Sequence, residues 1–241
     1  MLVKCKDIKE ITDLYQDGIV LGKGTTAIVY LKNNKTIKVY QDSKAKKLIF
    51  QEFEMKTHLE ELCQVKVKNI WTPNEVYLVD EEVKATGLNY IDGKTLWEEI
   101  PDISMDLFLE YLEVLKESVY KLSENNIWVR DFFSGNAVIN KNGINIIDTD
   151  EFYFSCLGKE MCLEHNIIEI LHDIFDVTFG LEENFHFSSK SLDLLLSDYS
   201  DIFAPIEADF NLYNALRSEL GGNTSVKNLK NLIKTLGNVK Q

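Results

Sequence analysis

Residues 19–40, IVLGKGTTAIVYLKNNKTIKVY, alternate apolar and β-branched positions between two polar turns, one carrying Gly22 and Gly24, the other Lys32-Asn-Asn-Lys35. Residue type and turn chemistry predict a three-stranded antiparallel meander. From Ser43 to Leu62 the period lengthens, and Leu48, Phe53, Met55, Leu59 and Leu62 line one approximate helical face. Strand-like runs return at Glu75–Val79 and Ala85–Ile91. Thr95-Leu-Trp-Glu98 has the form of a capping box and is expected to open a short helix. Ser104 is expected to cap a long helix carried by Leu107, Phe108, Tyr111, Leu112, Leu115, Val119 and Leu122, ending at Glu124-Asn-Asn126. A polar hairpin, Asn140-Lys-Asn-Gly143, precedes the apolar run Ile144-Asn-Ile-Ile147. After Asp150 the pattern is helical: residues 160–178 carry Leu163, Ile167, Ile170, Leu171, Ile174 and Phe175, and weaker helices follow near 189–199, 206–220 and 225–236. A β-rich first third with one helix, a short connector near Asp92-Gly93 and a helical remainder with one β insertion make an α+β chain. Its expected form is two lobes with a cleft between them, residues 1–91 and 92–241.

Composition narrows the class. The 241 residues are 45% hydrophobic and 27% charged, ordinary for a soluble globular protein. No apolar run approaches the ~18–20 residues that would span a bilayer, and the charged segment MLVKCKDIKEITDLYQDG lacks the apolar stretch of a signal peptide. Cys5, Cys63, Cys156 and Cys162 show no CxxC spacing and read as reduced thiols, so a cytoplasmic location is expected. His165 and His172 share a helix without a third ligand and do not suggest a metal site. The charge is uneven: residues 1–91 carry 14 Lys+Arg against 13 Asp+Glu, and residues 92–241 carry 12 against 26. An acidic second half disfavours nucleic acid and anionic membrane as partners and is compatible with a cationic substrate. The only arginines are Arg130 and Arg217.

Candidate chemistry concentrates in residues 129–150, VRDFFSGNAVINKNGINIIDTD. Asp131 stands five residues before Asn136, and the apolar run delivers Asp148. Two carboxylates and a carboxamide at the ends of short strands suit Mg–ATP phosphotransfer, one Asp orienting a hydroxyl while the Asn and second Asp hold the metal. Matching parts precede them. Leu21-Gly-Lys-Gly-Thr-Thr-Ala-Ile-Val29 follows a GxGxxGxV form with Ala27 at the third Gly, and such glycines let backbone N–H groups approach phosphate. Nine residues after Val29, Lys38 lies between Ile37 and Val39 on a predicted strand, so its side chain should project opposite theirs. Glu52 lies fourteen residues further on the first helix, with Glu54 the alternative if the helical phase differs.

In residue type, spacing and order, these elements resemble the protein-kinase-like superfamily over roughly residues 18–178. The resemblance implies a two-lobed fold binding ATP and Mg²⁺. Asp131 would be the catalytic base, Asn136 and Asp148 metal ligands, and a Lys38–Glu52 ion pair would position the phosphates. Gly87-Leu-Asn-Tyr-Ile-Asp-Gly resembles the hinge of that family. On this resemblance Leu88 guards the adenine pocket, and Asn89 and Ile91 supply backbone contacts. Gly22, Gly24, Ala27 and Val29 would cover the nucleotide.

The departures are specific. Val129 replaces the His of the His-Arg-Asp triplet, and Phe133 replaces the Lys that neutralises the transferring phosphate. Asp148-Thr-Asp150 replaces Asp-Phe-Gly, and Asp150 would either join the metal shell or face solvent. No Pro lies between Pro101 and Pro205, so the Ala-Pro-Glu motif is absent and little room is left for a long activation segment. The expected activity is ATP- and Mg-dependent phosphotransfer to a hydroxyl in a compact, atypical bacterial-type kinase. A protein Ser/Thr acceptor is slightly favoured, because Arg130 could pair with a phosphorylated Thr149, Tyr153 or Ser155. The alternatives are a small amino sugar or amino alcohol acceptor, or a non-catalytic nucleotide-binding module.

Overall fold

The structure, a computed structural model, describes residues 1–41, 54–98, 102–174 and 227. The described residues are α+β and cluster into two compact units, one drawn from Met1–Asp92 and Ile147–Tyr153, the other from Gly93–Ile146 and the described residues from Phe154 on.

The first unit is built on a six-stranded mixed sheet. Its strands are β1 (Leu2–Lys4), β2 (Ile19–Lys23), β3 (Ala27–Lys32), β4 (Lys35–Tyr40), β5 (Glu75–Val79) and β6 (Glu82–Asn89), in the order β1-β5-β6-β4-β3-β2. Strand β1 runs parallel to β5, and the other neighbours are antiparallel. The meander over 19–40 forms as its pattern predicts. Its Asn33-Asn34 turn takes left-handed conformation at both residues (φ 52° and 60°), as a two-residue hairpin needs and Asn tolerates.

The charged N-terminal segment, not predicted as structure, supplies β1 and helix α1 (Ile8–Tyr15). Its signals were local. Asp7 caps α1 by accepting from the backbone N–H groups of Lys9 and Glu10 at 2.9 and 3.1 Å, and Ile8, Ile11 and Tyr15 repeat at helical spacing. Ile11 is fully buried against Ile37, Tyr77 and Ala85, with Val39 packed at the edge of that cluster. This face of β4 is therefore closed by α1, and Lys38, between Ile37 and Val39, points to the other face. The helix expected from Ser43 is described only over α2 (Met55–Leu62). Its earlier part, including Glu52, lies outside the described residues. Glu54 caps α2, its carboxylate accepting from the Thr57 N–H at 3.0 Å.

In the second unit, β7 (Lys94–Thr95), β9 (Ala137–Asn140) and β10 (Gly143–Ile146) form a three-stranded antiparallel sheet in the order β10-β9-β7. Gly93 leads into it at φ 150°, where a Cβ would stand 2.5 Å from the Ile139 carbonyl oxygen, so the chain needs a glycine there. Helix α3 (Met105–Glu124) runs as predicted, with Ser104 Oγ accepting from Leu107 N–H at 3.3 Å. Short strands follow at β8 (Ile127–Trp128) and, after β10, at β11 (Tyr153–Phe154). Helix α4 (Lys159–Asn166) continues as a π-helix over Ile167–His172.

Two expectations change. The Thr95–Glu98 capping box forms reciprocally, with both backbone-to-side-chain bonds at 3.2 Å, but Thr95 ends β7 and Leu96–Glu98 is a turn. The box closes that turn and does not open a helix among the described residues. The described part of the β-rich first third holds two helices, α1 and α2, where one was expected. Phe175 and the helices expected near 189–199 and 206–220, and 225–236 apart from residue 227, lie outside the described residues. Among the described residues no helix is long and apolar enough to cross a membrane.

Candidate functional site

Strand register assembles the first group of candidate residues. Gly22 pairs with Val29, Val29 with Lys38, and Lys38 with Thr86, so four strands place these residues in one lateral row on one face. The two-residue loop Thr25-Thr26 closes beside it, with Gly24 N–H donating to the Ala27 carbonyl at 2.9 Å. Ala27 is buried and pairs with Tyr40. A Cβ on Gly22 would meet nothing within 4 Å, and neither Gly22 nor Gly24 takes a positive φ. The fold does not require glycine at Gly22, whereas a ligand lying close to its backbone would.

The segment Ile147–Tyr153 belongs to the same unit and brings in both acids of the Asp148-Thr-Asp150 triplet. Lys38 forms ion pairs with Asp148 and, at 3.0 Å, with Asp150 Oδ2. The two carboxylates differ in environment: the Asp148 side chain is 46% exposed and that of Asp150 only 7%. Tyr40 donates its hydroxyl hydrogen to the same Asp150 oxygen. His58 on α2 donates from Nε2 to the Asp150 carbonyl at 2.8 Å, and Thr149 Oγ1 donates to the Trp71 carbonyl at 3.1 Å. The triplet is thus anchored to unit 1 through one side chain or backbone group at every residue. Asp150, expected to join a metal shell or face solvent, is buried, and its carboxylate is committed to Tyr40 and Lys38. Thr149, expected to be available for phosphorylation, is buried as well.

These surroundings set the charge states. Burial opposes the charge on Lys38, but Asp150 and then Asp148 outweigh it and hold the ammonium above the usual lysine range. Burial, and then the Asp150 carboxylate, push the Tyr40 phenol well above its ordinary value, so it remains a neutral donor. Burial pulls the His58 imidazole down, only partly offset by its bond to the Asp150 carbonyl.

Asp131 and Asn136 lie in the second unit. Asp131 is exposed, and Asn136 is buried at the end of a 3₁₀ turn, Ser134–Asn136, where its N–H donates to the Phe133 carbonyl at 2.7 Å. Phe133 is half exposed, and its ring lies over Gly135 where a side chain there would stand. Two residues not predicted as functional hold the peptide groups leading to Asp131. Asn166 is fully buried; its Oδ1 accepts from Val129 N–H at 2.8 Å while Nδ2 donates to Ile127 O at 2.8 Å and Ser123 Oγ at 3.1 Å. His165 Nε2 donates to the Val129 carbonyl at 2.7 Å, and its ring stacks on Trp128 with centroids 3.8 Å apart. A carboxamide among Cys162, Ile167 and Ile170, on the buried side of α4 and of the π-helix that continues it, was the sequence signal for this clamp.

Backbone conformation singles out the two acids on its own. Nine non-glycine residues among those described have positive φ. Asp17 and Asn126 follow helix ends, Asn33, Asn34, Asp80 and Glu81 form two-residue hairpin turns, and Asn69 lies between the bridged Val67 and Ile70. The remaining two are Asp131 (φ 53°) and Asp148 (φ 58°), which occupy neither kind of turn. Left-handed conformation costs an L residue on the order of 1 kcal/mol, less for Asp, and in such places it points to functional constraint.

The residues expected to form a hinge are arranged more simply. Leu88 pairs with Thr36, whose Oγ1 donates to the Leu88 carbonyl at 3.1 Å, Asn89 pairs with Lys35 as the last residue of β6, and Ile91 lies beyond that strand. Among the described residues no three His, Cys, Asp or Glu side chains gather as a metal cage. No protein-family model matches the chain, and no curated protein matches it.

Proposed function

We propose that this chain is an ATP- and Mg²⁺-dependent phosphotransferase of the protein-kinase-like kind, two-lobed, moving the γ-phosphoryl group to a hydroxyl. The observation that carries the reading is the meeting of Lys38 with Asp148, 110 residues away, on the face where register aligns Lys38 with Val29 and Gly22. A cation, a half-exposed carboxylate and a glycine whose absent side chain leaves open space are the donor set that nucleotide phosphates and a hard cation require.

Lys38 holds phosphate oxygens, and Gly22 and Gly24 let backbone N–H groups approach them. Asp148 and Asn136 are the residues that would hold Mg²⁺, a cation that takes one or two carboxylates with phosphate and water and needs no all-protein cage. Bound there, the ion neutralises charge on the phosphates. Asp131 accepts the hydrogen bond of the acceptor hydroxyl and aligns it, while Asn166 and His165 fix the backbone that presents Asp131.

Two observations favour a small hydroxyl compound over a protein Ser or Thr as acceptor. Thr149 is buried, and Ser155 is engaged in its own turn, its Oγ accepting from Leu157 N–H at 3.1 Å. Only residues 151–158 separate Asp150 from α4, too short a stretch for a peptide-binding platform. The acidic second half fits an acceptor that carries an ammonium group. A second reading, a non-catalytic nucleotide-binding module, rests on Phe133 standing where a phosphate-neutralising Lys is expected.

One experiment separates them: incubation with Mg–ATP alone, with a basic protein, and with amino sugars and amino alcohols, followed by mass spectrometry and ADP release. Phosphate on an amino-bearing small molecule is the expected result. Nucleotide binding without transfer to any partner supports the binding module, and no nucleotide binding overturns both readings.

A further inference from the structure

We infer that Asp150 is the group that positions Lys38 for its phosphate contact. This rests on the nucleotide-binding reading above. A positioning carboxylate has to sit within ion-pair reach of the ammonium, be held rigidly, and be spared from other duties. Asp150 meets all three conditions. Its Oδ2 lies 3.0 Å from Lys38 Nζ and also accepts from the Tyr40 hydroxyl, whose ring stands 5.8 Å beneath the ammonium. Its backbone is pinned by His58 at the carbonyl, and the turn around it is closed by the Phe152 N–H donating to Thr149 O at 3.0 Å.

Asp148 meets only the first. It is half exposed, and among the described residues no bond from a neighbouring strand fixes its carboxylate apart from that of Lys38 itself. An exposed pair is weakly held and can be exchanged, whereas a pair with one carboxylate nearly dry cannot be broken cheaply. The triplet therefore divides the labour: Asp148 is available to leave Lys38 for a cation, and Asp150 keeps the ammonium in place when it does. The replacement of a glycine by Asp at this position becomes a gain of a fixed counter-charge.

The test is ATP binding by the full chain, with and without Mg²⁺, in the wild type and in Asp150→Asn, Lys38→Met, their double variant, Asp148→Ala and Glu52→Gln, with thermal melts to verify folding. Asp150→Asn and Lys38→Met should each weaken metal-free ATP binding about tenfold or more, with no further loss in the double variant. The effect of Asp150→Asn should exceed that of Glu52→Gln at least about tenfold, and its half-saturating Mg²⁺ should match the wild type's. The assignment is overturned if Asp150→Asn spares metal-free binding and raises the Mg²⁺ requirement as Asp148→Ala does, for then Asp150 is a metal ligand. It is equally overturned if Glu52→Gln matches Lys38→Met. Should Asp150→Asn not fold, the Glu52→Gln arm decides alone: a loss equal to that of Lys38→Met overturns the assignment, and retained binding supports it. A wild type that does not bind ATP would overturn the nucleotide reading itself, an outcome distinct from both.

Discussion

Replacing Lys38 by Met should destabilise the chain far more than neutralising Asp148, although both changes break the same ion pair. Lys38 is 19% exposed and serves two carboxylates of different burial. Its removal leaves Asp150, 7% exposed, with the Tyr40 hydroxyl but without a counter-charge among the described residues. Breaking a buried pair from one side costs roughly 3–5 kcal/mol. The Met side chain retains the apolar packing of the lysine stem and Tyr40 still donates, so a loss of about 2–4 kcal/mol is expected. Asp148→Asn removes only the half-exposed partner and keeps a residue that tolerates φ 58°, so its effect should stay within about 1 kcal/mol. In a chain of this size about 3 kcal/mol corresponds to roughly 6–12 °C in melting temperature. Urea unfolding followed by circular dichroism and by tryptophan fluorescence measures both variants. A Lys38→Met variant no less stable than Asp148→Asn would show that Asp150 is not a buried charge held by Lys38, and the reasoning would fail.

Three further outcomes follow from the same geometry. Because burial depresses the His58 imidazole, the unfolded chain binds its proton more readily; this contribution to stability is complete above the ordinary value of about 6.5 and is lost as pH falls below it. His58→Gln should flatten the pH dependence of the urea midpoint between about pH 7 and 5.5, and parallel curves would contradict this. Gly22→Ala should leave the unfolding free energy within about 0.5 kcal/mol of wild type while lowering ATP affinity, whereas Gly93→Ala, strained and 2.5 Å from the Ile139 carbonyl, should lose on the order of 2 kcal/mol. Asn166→Ala leaves the buried Val129 N–H and Ile127 C=O without their partner and should cost roughly 2–4 kcal/mol by urea unfolding.

Much of the fold was legible because it is written in local chemistry. The Asn33-Asn34 turn, the alternation that turns Lys38 away from Ile37 and Val39, and the Ser104 cap each depend on a few adjacent residues. The segment Leu2–Tyr15 was legible too, since Asp7 and the Ile8, Ile11, Tyr15 spacing mark a capped helix, but its charge density masked the pattern. Thr95–Glu98 shows the limit of a local motif: the capping box forms, yet pairing of Thr95 with β9 decides the conformation. The partner of Lys38 was not legible. Asp150 reaches it from 112 residues further along the sequence, through the Ile147–Tyr153 segment, and no spacing rule relates the two. The same holds for Asn166, whose role depends on the Ile127 and Val129 backbone and the Ser123 hydroxyl, all distant in sequence, meeting around one amide.

Asp131→Asn tests the central claim most directly. In the phosphotransferase account its carboxylate only aligns the acceptor hydroxyl, and phosphate is held by Lys38, the Gly22–Ala27 turn and the metal site of Asp148 and Asn136. Wild type and variant are compared for Mg–ATP affinity and for phosphate transfer to the amino-bearing acceptor panel, read by mass spectrometry. The expected result is unchanged affinity with turnover reduced on the order of 10²-fold or more. Wild-type protein that binds Mg–ATP, transfers no phosphate and cannot be distinguished from Asp131→Asn would contradict the account.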